Sequence, residues 1–80
     1  MVNDAPDITP AQVRAARGWL CWTQDELARR SGLSQRSIAR FELEISAPYA
    51  STVAALRKAF EDQGICFEFE GTEGKGVRVR

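Results

Sequence analysis

Hydrophobic positions near the start of the chain recur at the spacing of an α-helix. Val13, Ala16 and Leu20 follow one another at i, i+3 and i+7, which places their side chains on one helix face. The pair Thr9-Pro10 stands just before them and is typical of a helix start, with threonine as N-cap and proline as the first helical residue. The pattern therefore predicts a first helix that begins after Thr9 and buries one apolar face.

Residues 23–42 predict two short helices joined by a tight turn. Thr23 lies three residues before Glu26, and this capping box predicts a helix that begins just after Thr23. Gly32 can adopt a positive φ at low cost, so we expect it to end that helix and let the chain turn sharply. Ser34 is a suitable N-cap for the next helix. The stretch therefore has the layout of a helix-turn-helix.

The second helix of this pair has an apolar side and a polar side. Ile38 and Phe41 lie at i and i+3 and predict a buried seam, whereas Gln35, Arg36 and Arg40 fall on the opposite side. Arginine suits bidentate hydrogen bonding to guanine, and glutamine suits adenine. We therefore expect these three polar side chains to contact DNA bases. The alternative is an ordinary helical hairpin in a small bundle, with its arginines on a solvated face.

A further helix and a strand pattern complete the chain. Val53, Leu56 and Phe60 predict the inward face of a helix from about residue 50 to residue 63, closed by Gly64. After it the apolar positions alternate with polar ones in two runs, which predicts two strands. The apolar positions of these runs are Ile65, Phe67, Phe69, Val77 and Val79.

The two strand-like runs predict an antiparallel β-hairpin around the turn-rich segment 71–76. Glu68 and Glu70 are then expected to face Arg78 and Arg80 across the ladder. An isolated two-stranded hairpin is barely stable in water, so it needs a partner surface. We expect its apolar face to pack on the last helix of its own chain. We also expect its edge to pair with the hairpin of a second subunit, with the five apolar residues as the dimer interface.

The expected fold is therefore mainly α, with a bundle of four to five helices that contains the helix-turn-helix, plus a C-terminal two-stranded antiparallel β-hairpin. Residues 1–8 are expected to form a flexible N-terminal arm, residues 9–64 the helical DNA-binding domain, and residues 65–80 the hairpin.

The charge distribution fits this division, although the net charge of zero is unusual for a DNA-binding domain. Residues 14–40 carry six arginines against Asp25 and Glu26 only, while residues 41–74 carry seven acidic residues against two basic ones. The helix-turn-helix is therefore the basic part of a polarised chain, as expected for a surface that meets phosphate. The alternative is that this segregation is incidental.

Few residues in the sequence could support catalysis or bind a metal. The chain has no histidine and no pairing of a nucleophile with a base, so neither an enzyme nor a metal or cofactor site is expected. Cys21 and Cys66 are interpreted as small buried residues, with a redox-sensing role as the less favoured alternative. No apolar run approaches ~18 residues and the first seven residues are polar and acidic, so we expect no membrane span, no secretory signal and a cytoplasmic location.

Residues 23–42 also resemble a known family. The run Thr-Gln-x-Glu-Leu-Ala-x3-Gly-Leu-Ser-x3-Ile-x3-Glu is similar to the helix-turn-helix of the Xre/Cro-like family, which includes lambdoid phage repressors and many small bacterial regulators. The resemblance covers roughly residues 8 to 64. It implies a bundle of four or five helices, double-stranded DNA as the partner, and operator binding as a homodimer in a bacterial or phage setting.

The resemblance also implies roles for individual residues. Gln24 corresponds to a glutamine that contacts a phosphate and braces the recognition helix. Gln35 and Arg36 correspond to positions that reach base edges, and Arg40 to a further contact with base or backbone. Arg17 and Glu42 correspond to a pair that forms an internal salt bridge. The full set of expected phosphate contacts is Thr23, Gln24, Ser34, Ser37 and Arg14.

The sequence departs from the family pattern on either side of the helix-turn-helix. The family commonly has a glycine two residues after the position of Glu42, where this chain has Glu44, whose charge would repel a phosphate. Cys21 stands where a turn glycine is usual between the first two helices.

The function expected from the sequence is a sequence-specific transcriptional regulator, most simply a repressor that binds an inverted repeat without a small-molecule substrate. The alternative is a protein-interaction module of the antitoxin or adaptor type that uses the same fold.

Overall fold

The computed structural model describes residues 7–45 and 48–80, and most of the expected N-terminal arm lies outside these residues. Within them the chain forms four helices followed by a two-stranded antiparallel sheet, which confirms the predicted fold class. In chain order the elements are α1 (Pro10–Leu20), α2 (Gln24–Ser31), α3 (Gln35–Glu42), α4 (Ala50–Glu61), β1 (Ile65–Glu70) and β2 (Glu73–Val79). None of the described helices has the length and apolar character needed to cross a bilayer.

α1 begins and ends with well-defined caps. The Thr9 hydroxyl accepts a hydrogen bond from the Gln12 amide at 3.2 Å, and Gln12 Oε1 accepts one from the Thr9 amide at 2.9 Å, which completes a capping box with Pro10 at the first position. The helix ends at Leu20 and is capped by Cys21, whose φ of 58° lies in the left-handed region. Cys21 is exposed, so the expectation that it would be buried was wrong: its position at a helix end keeps its side chain at the surface.

The caps of α2 and α3 determine where the turn between them falls. The Thr23 hydroxyl accepts from the Glu26 amide at 3.0 Å, but the Glu26 carboxylate pairs with arginines of its own helix, so the predicted capping box is only half formed. Gly32 ends α2 with a φ of 78°. Ser34 then caps α3 by accepting from the Ser37 amide at 3.1 Å.

The core forms between the four helices and the inner face of the hairpin. Its fully buried large side chains are Phe60, Leu27, Ile38, Leu56, Ile65 and Val13. Trp22 stacks on Phe60 with ring centroids 5.5 Å apart, and Phe60 meets Phe67 edge to face at 5.9 Å. Ile8, assigned from the sequence to the arm, is buried in this core. Helix packing thus holds α2 and α3 in a fixed mutual orientation.

The hairpin differs from its predicted register. β2 begins at Glu73, so the turn is shorter than the expected segment 71–76, and a bulge lies between Glu68 and Phe69. Glu70 consequently faces Glu73 rather than an arginine. Glu68 still pairs with Arg78 diagonally, with Oε2 to Nε at 3.2 Å.

The C-terminal arginine also departs from the expected charge ladder. Arg80 Nη2 donates to the backbone oxygen of Glu61 at 2.6 Å, so Arg80 contacts the end of α4 instead of a glutamate across the hairpin. This contact ties the end of the hairpin to the end of α4.

A buried glutamine joins the hairpin to α1. Gln12 is 3% exposed, and its Nε2 donates to the backbone oxygens of Glu68 at 2.8 Å and Gly76 at 2.9 Å. Gly74 lies against the same side chain, where a Cβ atom would collide with Gln12 and with Thr9. The hairpin is therefore attached to the helical domain by specific polar contacts as well as by its apolar face.

Candidate nucleic-acid interface

The exposed polar face of α3 is the centre of the candidate interface. Gln35, Arg36 and Arg40 are all exposed, while Ile38 and Phe41 on the other side of the helix are buried. The short turn at Gly32 leaves the N-terminal end of α3 open to solvent. The arrangement presents two guanidinium groups and one amide on a single helix face, which are the groups that read guanine and adenine in a major groove.

An ion pair between the half-buried Arg17 and the buried Glu42 lies beneath the C-terminal end of α3. Glu42 is only 5% exposed, and its carboxylate receives Arg17 Nε at 2.7 Å and Arg17 Nη2 at 2.9 Å. Arg17 Nη1 also donates to the backbone oxygen of Trp22 at 2.9 Å. A bidentate contact of this kind fixes the orientation of the two side chains as well as the distance between them. It ties α1 to α3 and to the segment that leads into α2.

The ion pair changes the proton affinity of both partners. Burial opposes ionisation of Glu42, but hydrogen bonds from Arg17 and Gln24 outweigh it and hold the pKa of the carboxyl below its ordinary value of 4.5. The hydrogen bond to Glu42 raises the pKa of Arg17. Both groups are therefore charged at neutral pH.

Gln24 connects this ion pair to the start of α3. Its Nε2 donates to Glu42 Oε1 at 3.1 Å, and its Oε1 accepts from Gln35 Nε2 at 2.5 Å. The half-buried Gln24 side chain thus holds the first residue of α3 in place. The sequence assigned Gln24 to a phosphate contact and to bracing, and in the structure both ends of its amide engage protein groups.

The remaining residues assigned to phosphate lie at helix ends or on α1. The Thr23 and Ser34 hydroxyls cap α2 and α3, and Ser34 Oγ donates to Ser37 Oγ at 3.0 Å. Arg14 is exposed, but its Nη1 donates to the backbone oxygen of Glu42 at 2.6 Å. The N-terminal ends of α2 and α3, where backbone N–H groups favour anions, carry the two caps.

Two further arginines lie on α2, and sequence reasoning assigned them no role. Glu26 receives Arg29 Nη2 at 2.6 Å and Arg30 Nε at 2.9 Å, and these hydrogen bonds lower the pKa of Glu26. Arg30 also lies over the Trp22 ring at 4.9 Å. The spacings i, i+3 and i+4 from Glu26 were the signal in the sequence that could have identified these pairs.

The segment after α3 carries three exposed hydrophobic side chains that sequence reasoning also missed. Leu43 is 71% exposed, Ile45 56% and Tyr49 82%. Of these three, Ile45 lines a groove of about 530 Å³ between the start of α1 and the end of α3. Glu44, at the usual glycine position, has a φ of 57°, so this chain places a side chain in the left-handed conformation there.

The residues assigned to the dimer interface fall into two groups. Ile65 and Phe67 are buried in the core of their own chain, and Phe69 and Val77 pack partly against it. These four side chains therefore stabilise the fold of a single chain. Val79 is 41% exposed. Within the described part of the chain the sheet has only two strands, so the outer edge of each strand has no strand beside it.

The sequence of this chain matches a known protein family. A protein-family model described as helix-turn-helix matches residues 13–61, which run from within α1 to the last residue of α4. The match covers more than half of the 80 residues and contains α2, α3 and the Arg17–Glu42 pair. A search among curated proteins found no match.

Proposed function

Because this chain belongs to the Xre/Cro-like helix-turn-helix family of DNA-binding regulators, we propose that it is a repressor that binds an inverted-repeat operator as a homodimer. The observation that carries the proposal is the exposed face of α3, with Gln35, Arg36 and Arg40 on one side of a helix whose other side is locked into the core. In this position α3 is the recognition helix.

The chemistry of α3 suits base readout in the major groove. Arg36 offers parallel N–H groups to guanine O6 and N7, and Gln35 offers one donor and one acceptor to adenine. Arg40, one turn later, reaches a further base or the backbone. Thr23 and Ser34 lie where α2 and α3 begin, so phosphates on either side of the groove would meet their hydroxyls and the helix N-termini.

We propose that the dimer forms through the β2 edges of two hairpins, which would pair across a two-fold axis into a four-stranded sheet. A groove of about 410 Å³, lined by Arg57 and Glu61, lies between α4 and β1, whereas β2 carries the exposed Val79. Two recognition helices held in this way would enter successive major grooves, roughly 34 Å apart. Binding across a promoter would exclude polymerase.

Selection of bound fragments from genomic DNA by the purified protein tests the proposal. We expect enrichment of a short inverted repeat, and affinity for it should fall by about a thousandfold between roughly 50 and 200 mM salt as phosphate contacts release counterions. Lys58→Ala should select the same repeat with the same affinity, because Lys58 is an exposed cation of α4, outside the proposed interface, in an i, i+4 pair with Asp62. Recovery of no common sequence would overturn the proposal.

A second candidate function rests on the exposed hydrophobic side chains of Leu43, Ile45 and Tyr49. Several large hydrophobic side chains left exposed in one segment favour a protein-binding site, as in an antitoxin or adaptor module. Apolar association depends weakly on salt. A salt-insensitive complex with a protein, together with no selected DNA sequence, would therefore favour this function over operator binding.

A further inference from the structure

Glu42 lies at the opposite end of α3 from Gln35, yet only one side chain separates them in a hydrogen-bonded chain. Glu42 Oε1 accepts from Gln24 Nε2, and Gln24 Oε1 accepts from Gln35 Nε2. We propose that Glu42 is a positioning residue that sets which way the Gln35 amide faces the DNA, and thereby selects adenine over guanine at one operator position. The inference rests on the proposed function and deepens it.

The first step is that Glu42 can only accept hydrogen bonds. An ionised carboxylate has no proton to donate. Arg17 donates a hydrogen bond to each of its two oxygens, and the carboxylate is buried at the junction of α1, α2 and α3. Any polar group that faces Glu42 must therefore present an N–H or O–H.

The second step fixes the orientation of Gln24. A glutamine amide has its oxygen and its nitrogen on opposite corners of one plane, so turning it over exchanges them. If Gln24 turned over, its carbonyl oxygen would face the Glu42 carboxylate, and two acceptors would meet without a proton between them. Gln24 therefore keeps its nitrogen toward Glu42 and its oxygen toward Gln35, as the two distances record.

The third step fixes Gln35. Because Gln24 presents an oxygen, Gln35 must present an N–H to it, and this leaves Gln35 with one N–H and its Oε1 for DNA. Adenine offers one acceptor, N7, and one donor, the N6 amino group, which match this pair. In the reverse orientation Gln35 would accept from Gln24 and present both N–H groups, which match the two acceptors of guanine.

The role differs from a purely structural one, because it predicts a change of base preference and not only a loss of affinity. Glu42→Gln replaces the acceptor-only group by an amide that can also donate, so the chain of Gln24 and Gln35 can reverse. The preference for adenine over guanine at the base facing residue 35 should then fall roughly tenfold, which lies within the discrimination that one bidentate contact supplies. Positions that face Arg36 should keep their preference.

The experiment is selection from a DNA pool with randomised half-sites, followed by sequencing, with the full-length chain at a temperature where all variants are folded by circular dichroism. Arg17→Lys is the matched control, because it weakens the same ion pair but leaves Glu42 an acceptor. It should lower the melting temperature without changing the adenine preference. Gln35→Ala combined with Glu42→Gln is the second control, and there the substitution at Glu42 should have no further effect on that base.

The outcomes separate the inference from the function on which it rests. An unchanged adenine-to-guanine ratio in Glu42→Gln would overturn the role of Glu42, and so would an equal loss of adenine preference in Arg17→Lys. In either case the proposal that the wild type binds an operator would be unaffected. If Glu42→Gln were unfolded at every usable temperature, Gln24→Met would test the link on which the role depends, because it removes both hydrogen bonds. A relaxed adenine preference would support the role of Glu42, and an unchanged preference would overturn it, since nothing else connects Glu42 to Gln35 in the proposed chain. If the wild type selected no sequence, the proposed function itself would fail.

Discussion

Gly74 of β2 packs against the side chain of Gln12 so closely that a methyl group on Gly74 would overlap the Gln12 amide. The same amide donates to the backbone oxygens of Glu68 and Gly76. Because Gly74 has no side chain, there is room for Gln12, which is the only side chain among the described residues whose amide donates to both strands of the hairpin.

Gly74→Ala should consequently destabilise the protein, by about 1–3 kcal/mol, because the buried Gln12 would have to leave its position and its hydrogen bonds. Gly76→Ala is the matched control, since a Cβ atom there meets nothing within 4 Å. Urea denaturation followed by circular dichroism measures both variants. Equal free energies of unfolding for Gly74→Ala and Gly76→Ala would show that the contact between Gly74 and Gln12 does not stabilise the fold.

The Glu44 position combines a strained backbone with an unfavourable charge. A non-glycine residue in the left-handed region costs about 1–2 kcal/mol, so Glu44→Gly should raise the free energy of unfolding by about 1 kcal/mol after the entropy cost of glycine. It should also tighten DNA binding at low salt, because a negative charge leaves the loop after the recognition helix. Glu44→Gln separates the two effects, since it should tighten binding without added stability. Identical stability of Glu44→Gly and Glu44→Gln would contradict the strain argument.

The Arg17–Glu42 pair predicts a dependence of stability on pH. The pKa of Glu42 is lower in the folded protein than its ordinary value of 4.5, so folding favours the ionised form. The stability that this group contributes is present above pH 4.5 and is lost as the pH falls through the folded pKa. The pKa of Glu26 is also lowered, so Glu26 contributes to the same loss of stability at acid pH.

Glu42→Gln should therefore cost about 3 kcal/mol near neutral pH, where it leaves Arg17 without its partner, and progressively less below pH 4.5. Thermal denaturation of the wild type and the variant across this range measures the difference. A difference in melting temperature that stays constant from neutral pH to strongly acidic pH would show that ionisation of Glu42 does not stabilise the fold.

The proposed dimer makes a prediction about one backbone amide. The Arg80 amide donates to the Gly64 oxygen at 2.8 Å inside the hairpin, so by the alternation of antiparallel strands the Val79 amide points outward. Val79→Pro should therefore remove a hydrogen bond between subunits, and analytical ultracentrifugation should give a monomer with an unchanged helical spectrum. Val79→Thr retains the amide and should stay dimeric. A Val79→Pro variant with the mass of a dimer would exclude this edge.

Local sequence signals predicted the helix ends well, because capping depends on a few neighbouring residues. Thr9, Thr23 and Ser34 each begin a helix where the sequence placed them, and Gly32 ends α2. Cys21 stands where the family pattern has a turn glycine, and its φ of 58° is the left-handed conformation that glycine adopts most easily.

The features that the sequence did not predict depend on contacts between distant residues. The bulge at Glu68 changes which residues face one another in the hairpin, and the hydrogen bonds that Gln12 makes across it join residues 56 and 64 positions apart. No local pattern marks such a contact. The link from Glu42 through Gln24 to Gln35 likewise exists only once α2 and α3 are packed together.

The affinity of Arg36→Ala for the selected operator, measured by fluorescence anisotropy at fixed salt, tests the central claim most directly. Arg36 is exposed on the face of α3 that is proposed to read bases. The substitution should weaken operator binding by about 1–3 kcal/mol and relax preference at one guanine, while affinity for scrambled DNA changes little. The control Lys58→Ala should bind like the wild type. If Arg36→Ala bound the operator as tightly as the wild type, α3 would not be the recognition helix.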